Sequence, residues 1–497
     1  MNGVPSAHAP QGDSTAVSSY DVVVIGGGNA ALCAALTARL AGRSVVVIEC
    51  APREFRGGNS RHTRNLRVAH AAPTAVLTDA YSEDEFLADL QRVNGQISDD
   101  ELSRLAIARS AGCAEWMAQF GARFQASLRG TLHLSRTNAF FLGGGKALMN
   151  SYYAAAERLG VEVRYQTEVV GLDMDGATFT GARVASHSDR ATPSRERAPH
   201  GSRQTQGGGE IVRGKAVVLA SGGFEANLVW LKQAWGDAAD NFIVRGTPYN
   251  TGTVLKLMLD AGAQPVADPR GCHAVAVDAR APKFDGGIVT RLDCLPLGIV
   301  VNARGERFHD EGEDFWPKRY ASWGRLVAEQ PGQTAFCIID AKTIGTFMPS
   351  VFPPMVASSL GELAGLLGLP ADAVCATIAE YNAAVRPGTL NHSVLDDCRT
   401  EGLSTNKTHW AQRIDTPPFW GYPLRPGITF TYLGLKVDPR SRVVMADGAP
   451  SSNIFAAGEI MAGNVLRNGY LAGFGMTIGT VFGRLAGEGA ARHAGEA

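Results

Sequence analysis

The first apolar positions of the chain form two short continuous runs with a helical segment between them. Tyr20 to Ile25 and the stretch SVVVIEC, which ends at Cys50, are rich in β-branched residues and show no alternation. Such runs are typical of parallel strands that are buried on both faces. Ala30 to Leu40 consists mainly of small and apolar residues and is followed by Gly42, which predicts a helix. The order strand, helix, strand predicts an α/β fold.

The turn between the first strand and this helix carries glycines at an informative spacing. Gly26, Gly28 and Ala31 follow the pattern G-x-G-x-x-A. The first glycine permits a tight turn, the second lets the backbone approach a pyrophosphate, and the alanine lets the helix pack closely against the strand. The second strand runs into Glu49, where an acid can accept a hydrogen bond from a ribose 2′-OH. The pattern predicts FAD or NAD rather than NADP, and it does not distinguish between the first two.

The pattern changes along the chain in a way that predicts a split domain. Helical segments from about Ser82 to Phe120 and another buried strand, KAVVLASGGF, precede a long stretch in which Trp, Pro, acids and arginines are mixed through loops. The C-terminal part returns to a short strand, glycine loops and a helix. The expected segments are a flexible tail (1–19), the two parts of a Rossmann-like domain (20–270 and 431–497), a mobile loop rich in Ser, Arg, Pro and Gly (187–209), and an inserted α+β capping domain (271–430).

Charge and cysteine content argue against several classes of function. The 497 residues carry 47 Lys and Arg against 48 Asp and Glu, so no basic excess exists to neutralise nucleic-acid phosphates. The eight cysteines include no C-x-x-C pair, which favours reduced thiols in a cytoplasmic protein over a disulfide framework or a metal site. We expect no metal and no secretory signal. We also expect no direct membrane span, since that needs roughly 20 apolar residues.

Several motifs that lie far apart in the sequence resemble those of one family. GGGNAA, the GGNS loop (Gly57 to Ser60), VVLASGGF and IFAAGE are similar to segments of fumarate reductase and succinate dehydrogenase flavoproteins that converge on FAD. Within that family, GGNSRHTRNLR, TNAFFLGGGKAL and RFHDEGEDFWPKRYASWGRL resemble FAD-dependent tricarballylate dehydrogenases. The resemblance extends from about residue 20 to residue 490. It implies that the cofactor is FAD, bound in a Rossmann-like domain with an inserted capping domain.

The resemblance assigns residues to the expected FAD site. The GGNS loop would surround the diphosphate and flavin, Gly458 and Glu459 would meet the ribityl chain, and the residues that open the last helix would direct N–H groups at the flavin pyrimidine. His62 resembles the flavin-linked histidine of succinate dehydrogenases, but the GGNS register places Asn59 there, so we expect non-covalent FAD. The expected cofactor-binding residues are Gly26, Gly28, Asn29, Ala30, Ala31, Glu49, Gly57, Gly58, Asn59, Ser60, Val169, Ser221, Gly222, Gly458, Glu459, Gly475, Met476 and Thr477.

The resemblance also implies a substrate pocket between the flavin and the inserted domain. His273 and Thr290 match a histidine and a threonine of the fumarate reductase pocket, whereas Arg291 stands where those enzymes have a glutamate. The family's second histidine has no counterpart here, because its position falls near Thr429–Phe430. The second arginine of the family aligns best with Tyr470, with Arg467 close by. The expected catalytic residues are Arg319, His273, Arg291, Thr290, Tyr470 and Arg425.

The proton-carrying arginine of fumarate reductases follows an RF-x-x-E element. Arg307 to Glu311 matches that element, and Arg319 is the nearest downstream arginine, with Lys318 as its competitor. Three of the expected catalytic side chains also have a purely structural interpretation. Arg319 could form a surface salt bridge, His273 could be a satisfied core histidine, and Arg291 could pair internally with Asp293.

An extra arginine in the pocket favours a substrate with more negative charge than fumarate, since arginine supplies bidentate carboxylate sites. The resemblance to tricarballylate dehydrogenases, with which this charge agrees, implies oxidation of tricarballylate to cis-aconitate. Electrons would pass to a separate membrane-bound iron–sulfur or haem protein, and the enzyme would be cytoplasmic, with peripheral membrane attachment through that partner. The alternatives are a fumarate- or succinate-type or other 2-enoate reductase or dehydrogenase, a ketosteroid-type dehydrogenase, and a flavoprotein redox subunit serving cobalamin biosynthesis.

Overall fold

The computed structural model describes residues 17–127, 134–186 and 210–497. The expected mobile loop 187–209 and most of the expected tail lie outside these residues. The described strands are β1 (Val17–Ile25), β2 (Val45–Ile48), β3 (Asn65–Arg67), β4 (Asn138–Phe140), β5 (Glu162–Arg164), β6 (Thr167–Asp175), β7 (Thr178–Ser186), β8 (Glu210–Leu219), β9 (Ile243–Val244), β10 (Pro265–Val266), β11 (Cys272–Asp278), β12 (Ile299–Asn302), β13 (Ala335–Ile339), β14 (Met355–Ala357), β15 (Val385–Arg386), β16 (Arg399–Thr400), β17 (Phe419–Thr431), β18 (Gly434–Leu435), β19 (Arg442–Val444) and β20 (Pro450–Ala456).

The helices fall before, between and after these strands. The described α-helices are α1 (Asn29–Leu40), α2 (Glu83–Asn94), α3 (Asp100–Ser110), α4 (Cys113–Gln119), α5 (Leu134–Thr137), α6 (Gly144–Arg158), α7 (Leu228–Trp235), α8 (Thr253–Asp260), α9 (Trp316–Arg319), α10 (Trp323–Ala328), α11 (Leu360–Leu367), α12 (Ala371–Ala384) and α13 (Phe474–Glu496). Short 3₁₀ helices that matter for the site are Gly58–His62, Ile288–Thr290 and Gly458–Asn464.

The larger sheet has the strand order β19-β20-β8-β1-β2-β5, and β7 and β6 continue from β8 as an antiparallel extension. Strands β20, β8, β1, β2 and β5 pair in parallel. Val24 lies opposite Val47 on one side and Val218 on the other, so the first apolar run is the buried centre of the sheet. The strand starts at Val17 rather than Tyr20, inside the expected tail. The carboxyl ends of parallel strands form the crevice where such folds bind ligands.

The long helix α13 packs directly against α1, beside the larger sheet. Both helices are rich in small residues, which lets their backbones approach closely. A Cβ on Gly483 would lie 2.6 Å from the Ala30 carbonyl oxygen, and one on Gly487 would lie 2.5 Å from the Ala34 carbonyl oxygen. These contacts hold the N-termini of both helices beside the carboxyl end of β1.

The second sheet is built mainly from the segment between β10 and β18. Its order is β11-β17-β13-β12, all antiparallel, and β14 and β9 also pair with β17. Strand β9 precedes the expected boundary at residue 271, and that boundary stays a prediction. Helices α11 and α12 pack under this sheet and are joined at Leu369-Pro370, as the sequence predicts. Within the described ranges, no helix is long and apolar enough to cross a membrane.

Candidate active site

A cleft of about 1250 Å³ lies at the carboxyl end of β1. Its walls come from the β1–α1 turn, the GGNS loop, the loop after β8, the start of α13 and loops of the second sheet. Pockets for drug-sized ligands usually enclose roughly 300–1000 Å³. The cleft therefore has room for a dinucleotide together with a small molecule.

The glycine turn shapes one end of the cleft. Gly26 has a positive φ of 110°, and a side chain there would collide with the Ala220 carbonyl. Gly28 differs, because the nearest protein atom to an added Cβ is the Ser60 hydroxyl at 3.5 Å, so a larger side chain would extend into the cleft. The amide of Asn29 at the start of α1 donates to the same hydroxyl, 3.0 Å away. Open space against a helix N-terminus suits a diphosphate.

Glu49 stands beside this turn, one residue past β2. It is buried, lines the cleft, and its Oε1 accepts a hydrogen bond of 2.9 Å from the Ala51 amide. Burial raises the pKa of its carboxyl. A side chain on Gly27 would collide with this carboxyl group. The acid is therefore held in place for a hydroxyl-bearing ligand, in the position that the sequence predicts for a ribose contact.

The GGNS loop is tied to both sheets through Asn59. The Asn59 Nδ2 donates to Glu225 Oε1 at 2.5 Å and to the Thr429 carbonyl at 2.6 Å. Its Oδ1 accepts from the Thr247 amide at 2.8 Å. Because Thr429 belongs to β17 and Glu225 follows β8, this side chain fixes the loop where the two sheets meet.

Two carboxyl groups lie near the part of the cleft that the C-terminal segment of the chain lines. Burial raises the pKa of Glu225, and burial together with the charge of Glu225 raises the pKa of Glu459 well above its ordinary value. The Thr431 amide donates to Glu459 Oε1 at 2.9 Å. Burial therefore disfavours the charged form of both carboxyl groups.

The start of α13, whose N–H groups are expected to face a flavin pyrimidine, also forms hydrogen bonds within the chain. The Gly475 amide donates to the Tyr470 hydroxyl at 3.0 Å, and the Thr477 hydroxyl donates to the Arg67 carbonyl at 2.5 Å. The predicted cofactor residues that line the cleft are Gly26, Gly28, Asn29, Ala30, Glu49, Gly58, Asn59, Ser60, Val169, Ser221, Gly222, Gly458, Glu459, Gly475 and Met476. Those behind the lining are Ala31, Gly57 and Thr477.

The opposite end of the cleft is cationic, and sequence reasoning missed two of its arginines. Arg245 follows β9 and is buried, and its Nε and Nη1 have no hydrogen-bond partner among the residues that the structure describes. Burial lowers its pKa to about 10. Arg64, just before β3, also has an unpartnered Nε and lines the cleft. Burial, followed by the charge of Arg291, lowers the Arg64 pKa to about 10.

Arg291 lies in the same cluster, but its charge is paired. Its Nη2 lies 2.7 Å from Asp293 Oδ1, which also accepts a 2.7 Å hydrogen bond from the Trp316 indole. Its guanidinium stacks on the Tyr320 ring, 4.5 Å from the ring centroid. Burial lowers the pKa of Arg291, but the ion pair outweighs burial and leaves that pKa above its ordinary value. The internal ion pair that sequence analysis held as the alternative is present.

His273 completes this end of the cleft. It lies on β11 opposite Phe430 and is buried, and its ring centroid lies 4.1 Å from that of Tyr470 and 5.6 Å from that of Tyr320. Burial lowers its pKa well below the ordinary value, and the charges of Arg245 and Arg291 lower it further. The ring is therefore neutral near pH 7. Its Nε2 has no hydrogen-bond partner in the described part of the chain, so His273 is not a satisfied core histidine.

Several other predicted residues lie apart from the cleft lining. The Arg319 guanidinium contacts the Glu313 carboxylate, which is the surface salt bridge that sequence analysis held as the alternative. The Thr290 hydroxyl donates to the Gly287 carbonyl at 2.8 Å. The remaining residues behind or outside the lining are Arg425, which donates to the Gln333 carbonyl at 3.0 Å, Lys318, which lies 2.8 Å from Asp89, and Arg467.

His62 lines the cleft, although the GGNS register does not place it at the position of the flavin-linked histidine. Its Nε2 contacts the Asp285 carboxylate, which comes from the loop after β11. The imidazole thus joins the GGNS loop to a segment of the expected capping domain. In the described residues, no group of three or more His, Cys, Asp or Glu side chains is arranged to hold a metal ion.

Comparison with known proteins agrees with this geometry. A model of the FAD binding domain family matches residues 21–476. The chain is 27% identical to an NADH:acrylate oxidoreductase of Vibrio harveyi, over 96% of this chain and 51% of that protein. It is 25% identical to a probable fumarate reductase of Shewanella frigidimarina, over 95% of this chain and 75% of that protein. The open conformation of a flavocytochrome c3 fumarate reductase shares the fold, with a TM-score of 0.71 and 23% identity over 96% of this chain and 79% of that one.

The molecule is a flavoprotein oxidoreductase with a mixed α/β FAD-binding fold, and its cofactor is FAD. The chain belongs to the FAD binding domain family, within the fumarate reductase and succinate dehydrogenase superfamily. The predictions of fold class and of FAD are confirmed, and the names of the matched relatives agree with the prediction of an FAD-dependent oxidoreductase. The chain spans about half the length of the first curated relatives it matches.

Proposed function

We propose that this protein is a dehydrogenase that oxidises a small polycarboxylate, tricarballylate, to cis-aconitate. The observation that carries the proposal is Arg245. It is a buried cation with two nitrogen atoms that have no hydrogen-bond partner in the described part of the chain, and it lines the same cleft as Arg64 and Arg291. A buried charge without a partner costs several kcal/mol, and an anionic ligand would remove that cost.

The number and pairing of the charges favour a polycarboxylate. Each guanidinium can form a bidentate contact with one carboxylate. Among the described residues, Arg64 and Arg245 have no carboxylate partner, while Arg291 shares its charge with Asp293 and has no partner for its Nε. A tricarboxylate can meet all three arginines. A neutral steroid would leave both free cations uncompensated, which argues against a ketosteroid-type substrate.

The other end of the cleft fits FAD. The space at Gly28 and the N-terminus of α1 would hold the diphosphate, and Glu49 would accept from a ribose hydroxyl. The GGNS loop and the Gly458–Glu459 turn would hold the rest of the cofactor. These residues would hold FAD, which when bound would supply the hydride acceptor for the substrate carbon. We propose that it is held non-covalently, because His62 is engaged by Asp285.

The chain's own residues would bind, orient and enclose the substrate. The three arginines fix the carboxylates and therefore the position of the carbon chain between them. Tyr320, Phe430 and Tyr470 form an aromatic wall that would exclude water from that end of the cleft. In this proposal, electrons leave to a separate iron–sulfur or haem protein at the cytoplasmic face of a membrane, since no metal-holding cluster occurs in the described ranges.

A fumarate- or succinate-type activity is the second candidate, and one observation favours it. The Arg291–Asp293 ion pair leaves two arginines, Arg64 and Arg245, without a carboxylate partner in the described chain. Two free arginines suit a dicarboxylate. The two candidates differ in whether Arg291 also meets the substrate.

Steady-state assays with an artificial electron acceptor would test the proposal. FAD-loaded protein would be given tricarballylate, succinate and a 3-ketosteroid at matched concentrations, and the products would be identified by chromatography. We expect cis-aconitate from tricarballylate at the highest kcat/KM of the panel. A higher kcat/KM for succinate would establish the second candidate, and turnover of the steroid alone would overturn both.

A further inference from the structure

The cleft contains a neutral imidazole whose buried Nε2 has no hydrogen-bond partner within the described ranges. His273 is 4% exposed, and it stands within the aromatic wall formed by Tyr470 and Tyr320. We infer that His273 accepts the proton released from the substrate carbon, and that it can do so only while a polycarboxylate occupies Arg245 and Arg291. The inference rests on the proposed function and adds the identity of the base.

The groups that face His273 come from four elements. Tyr470 precedes α13, Tyr320 follows α9, Arg291 ends the 3₁₀ helix Ile288–Thr290, and Arg245 follows β9. The charged side chains that act on its ring are the two arginines. Asp293 reaches this group through Arg291, with which it is paired. Burial and these two cations therefore keep the imidazole free of its proton.

Substrate binding changes this balance. Carboxylates on Arg245 and Arg291 offset the two positive charges that disfavour imidazolium. The pKa of His273 then rises by the part that the two arginine charges had lowered, while burial still holds it below the ordinary histidine value. The bound anion thus makes the ring a usable base, and departure of the product restores the two cations and expels the proton to solvent.

The reaction balances with this assignment. One C–H bond of tricarballylate breaks and its proton goes to His273 Nε2. The neighbouring C–H bond breaks with both of its electrons, and this hydride goes to the oxidised FAD, which is thereby reduced. The C=C bond of cis-aconitate forms between the two carbons. Arg319 is a poorer acceptor, because its guanidinium is already protonated and contacts Glu313 away from the cleft lining.

Proton uptake on binding of a non-oxidisable tricarboxylate is the most direct test. Citrate serves as the probe, because its central carbon carries a hydroxyl instead of the hydrogen that dehydrogenation requires. FAD-loaded protein is mixed with citrate in weak buffer at about pH 6 and pH 8, with binding followed by flavin absorbance and protons followed by an indicator dye. Protons released or bound by citrate itself contribute equally to the parent and to every variant. The quantity compared is therefore the difference in proton uptake between the parent and each variant.

At about pH 6, we expect the parent to bind as much as one proton more per FAD than His273→Gln does. At about pH 8, we expect this difference to be smaller. His62→Gln, the other cleft histidine, should keep the uptake. Equal uptake by parent and His273→Gln would overturn the inference, as would loss of uptake in His62→Gln alone. Absence of any flavin perturbation by citrate or tricarballylate in the parent would overturn the proposed function instead.

Kinetics provide a second arm that separates a base from a positioning residue. His273→Gln should lower kcat about 10²- to 10⁴-fold with KM changed little, because a base acts in the transition state. In the parent, kcat should fall at acid pH as His273 becomes protonated in the complex, and the variant should lack this dependence. A kcat within threefold of the parent, or an unchanged acid limb, would show that another group takes the proton while tricarballylate oxidation itself stands.

Discussion

Replacement of Arg245 by methionine removes the unpaired cation on which the substrate proposal rests. Methionine keeps an unbranched apolar chain but has neither charge nor donors. Arg291→Met is the matched control, since both arginines are buried and line the same cleft. They differ in one respect, because Arg291 pairs with Asp293 at 2.7 Å whereas the described residues offer no partner to Arg245 Nε and Nη1.

The two substitutions should therefore act in opposite ways on stability. Arg245→Met removes an uncompensated buried charge, which should leave the free energy of unfolding unchanged or raise it. Arg291→Met leaves Asp293 buried with only the Trp316 indole, and breaking a buried pair in this way costs about 3–5 kcal/mol. For ligand binding, loss of a desolvated charge contact at Arg245 should cost about 2–5 kcal/mol. That loss corresponds to about a 30- to 4000-fold weaker Kd.

Two measurements on FAD-loaded protein read these effects. Thermal unfolding compares both variants with the parent, and titration with tricarballylate under anaerobic conditions gives Kd from the flavin absorbance. Arg245→Lys tests the bidentate geometry, since lysine restores the charge without the planar fork. A Kd for Arg245→Met within twofold of the parent would refute the assignment of Arg245 as an anion site. Strong destabilisation by Arg245→Met would show that it has a structural partner.

Three further changes follow from the same structure. Gly28→Val should abolish flavin retention by filling the space for the diphosphate, whereas Gly361→Val, on the exposed side of α11, should retain it in a gel-filtration assay. Arg319→Ala should leave kcat within about threefold, since a half-exposed salt bridge contributes roughly 0–1 kcal/mol; a collapse of kcat would restore it as the proton carrier. When Asp293→Asn is added to Arg291→Met, the double variant should recover part of the free energy of unfolding that Arg291→Met loses, as read by thermal unfolding.

The glycine turn at one end of the cleft could be predicted because its determinants are local. Gly26, Gly28 and Ala31 lie within six residues, and a strand and a helix with clear patterns flank them. Close packing of α13 on α1 needs glycines whose spacing is visible in the sequence. Glu49 directly follows β2, so its separation from the glycine turn is set by the length of one helix and one strand.

The cationic end could not be predicted in the same way, because chain segments far apart in the sequence build it. Arg245 stands in FIVRGTPYN without a motif, and pairing of β9 with β17 brings it beside His273. The sequence points to Arg319 as the nearest arginine after the RF-x-x-E element, a few residues later than expected, and the short helix α9 directs its guanidinium to Glu313. The Arg291–Asp293 pair could be proposed from the sequence as an alternative, since the two residues lie two positions apart. The hydrogen bond from the Trp316 indole, which also fixes the carboxylate, is seen only in the structure.

Reduction of the bound flavin by substrate in a single turnover tests the central claim most directly. FAD-loaded protein without oxygen or acceptor would be mixed with tricarballylate, succinate or citrate, and the absorbance of oxidised flavin near 450 nm would be followed. The account predicts that tricarballylate bleaches the flavin with formation of one cis-aconitate per FAD, faster than succinate does, and that citrate shifts the spectrum without bleaching it. Bleaching by succinate with none by tricarballylate would contradict it.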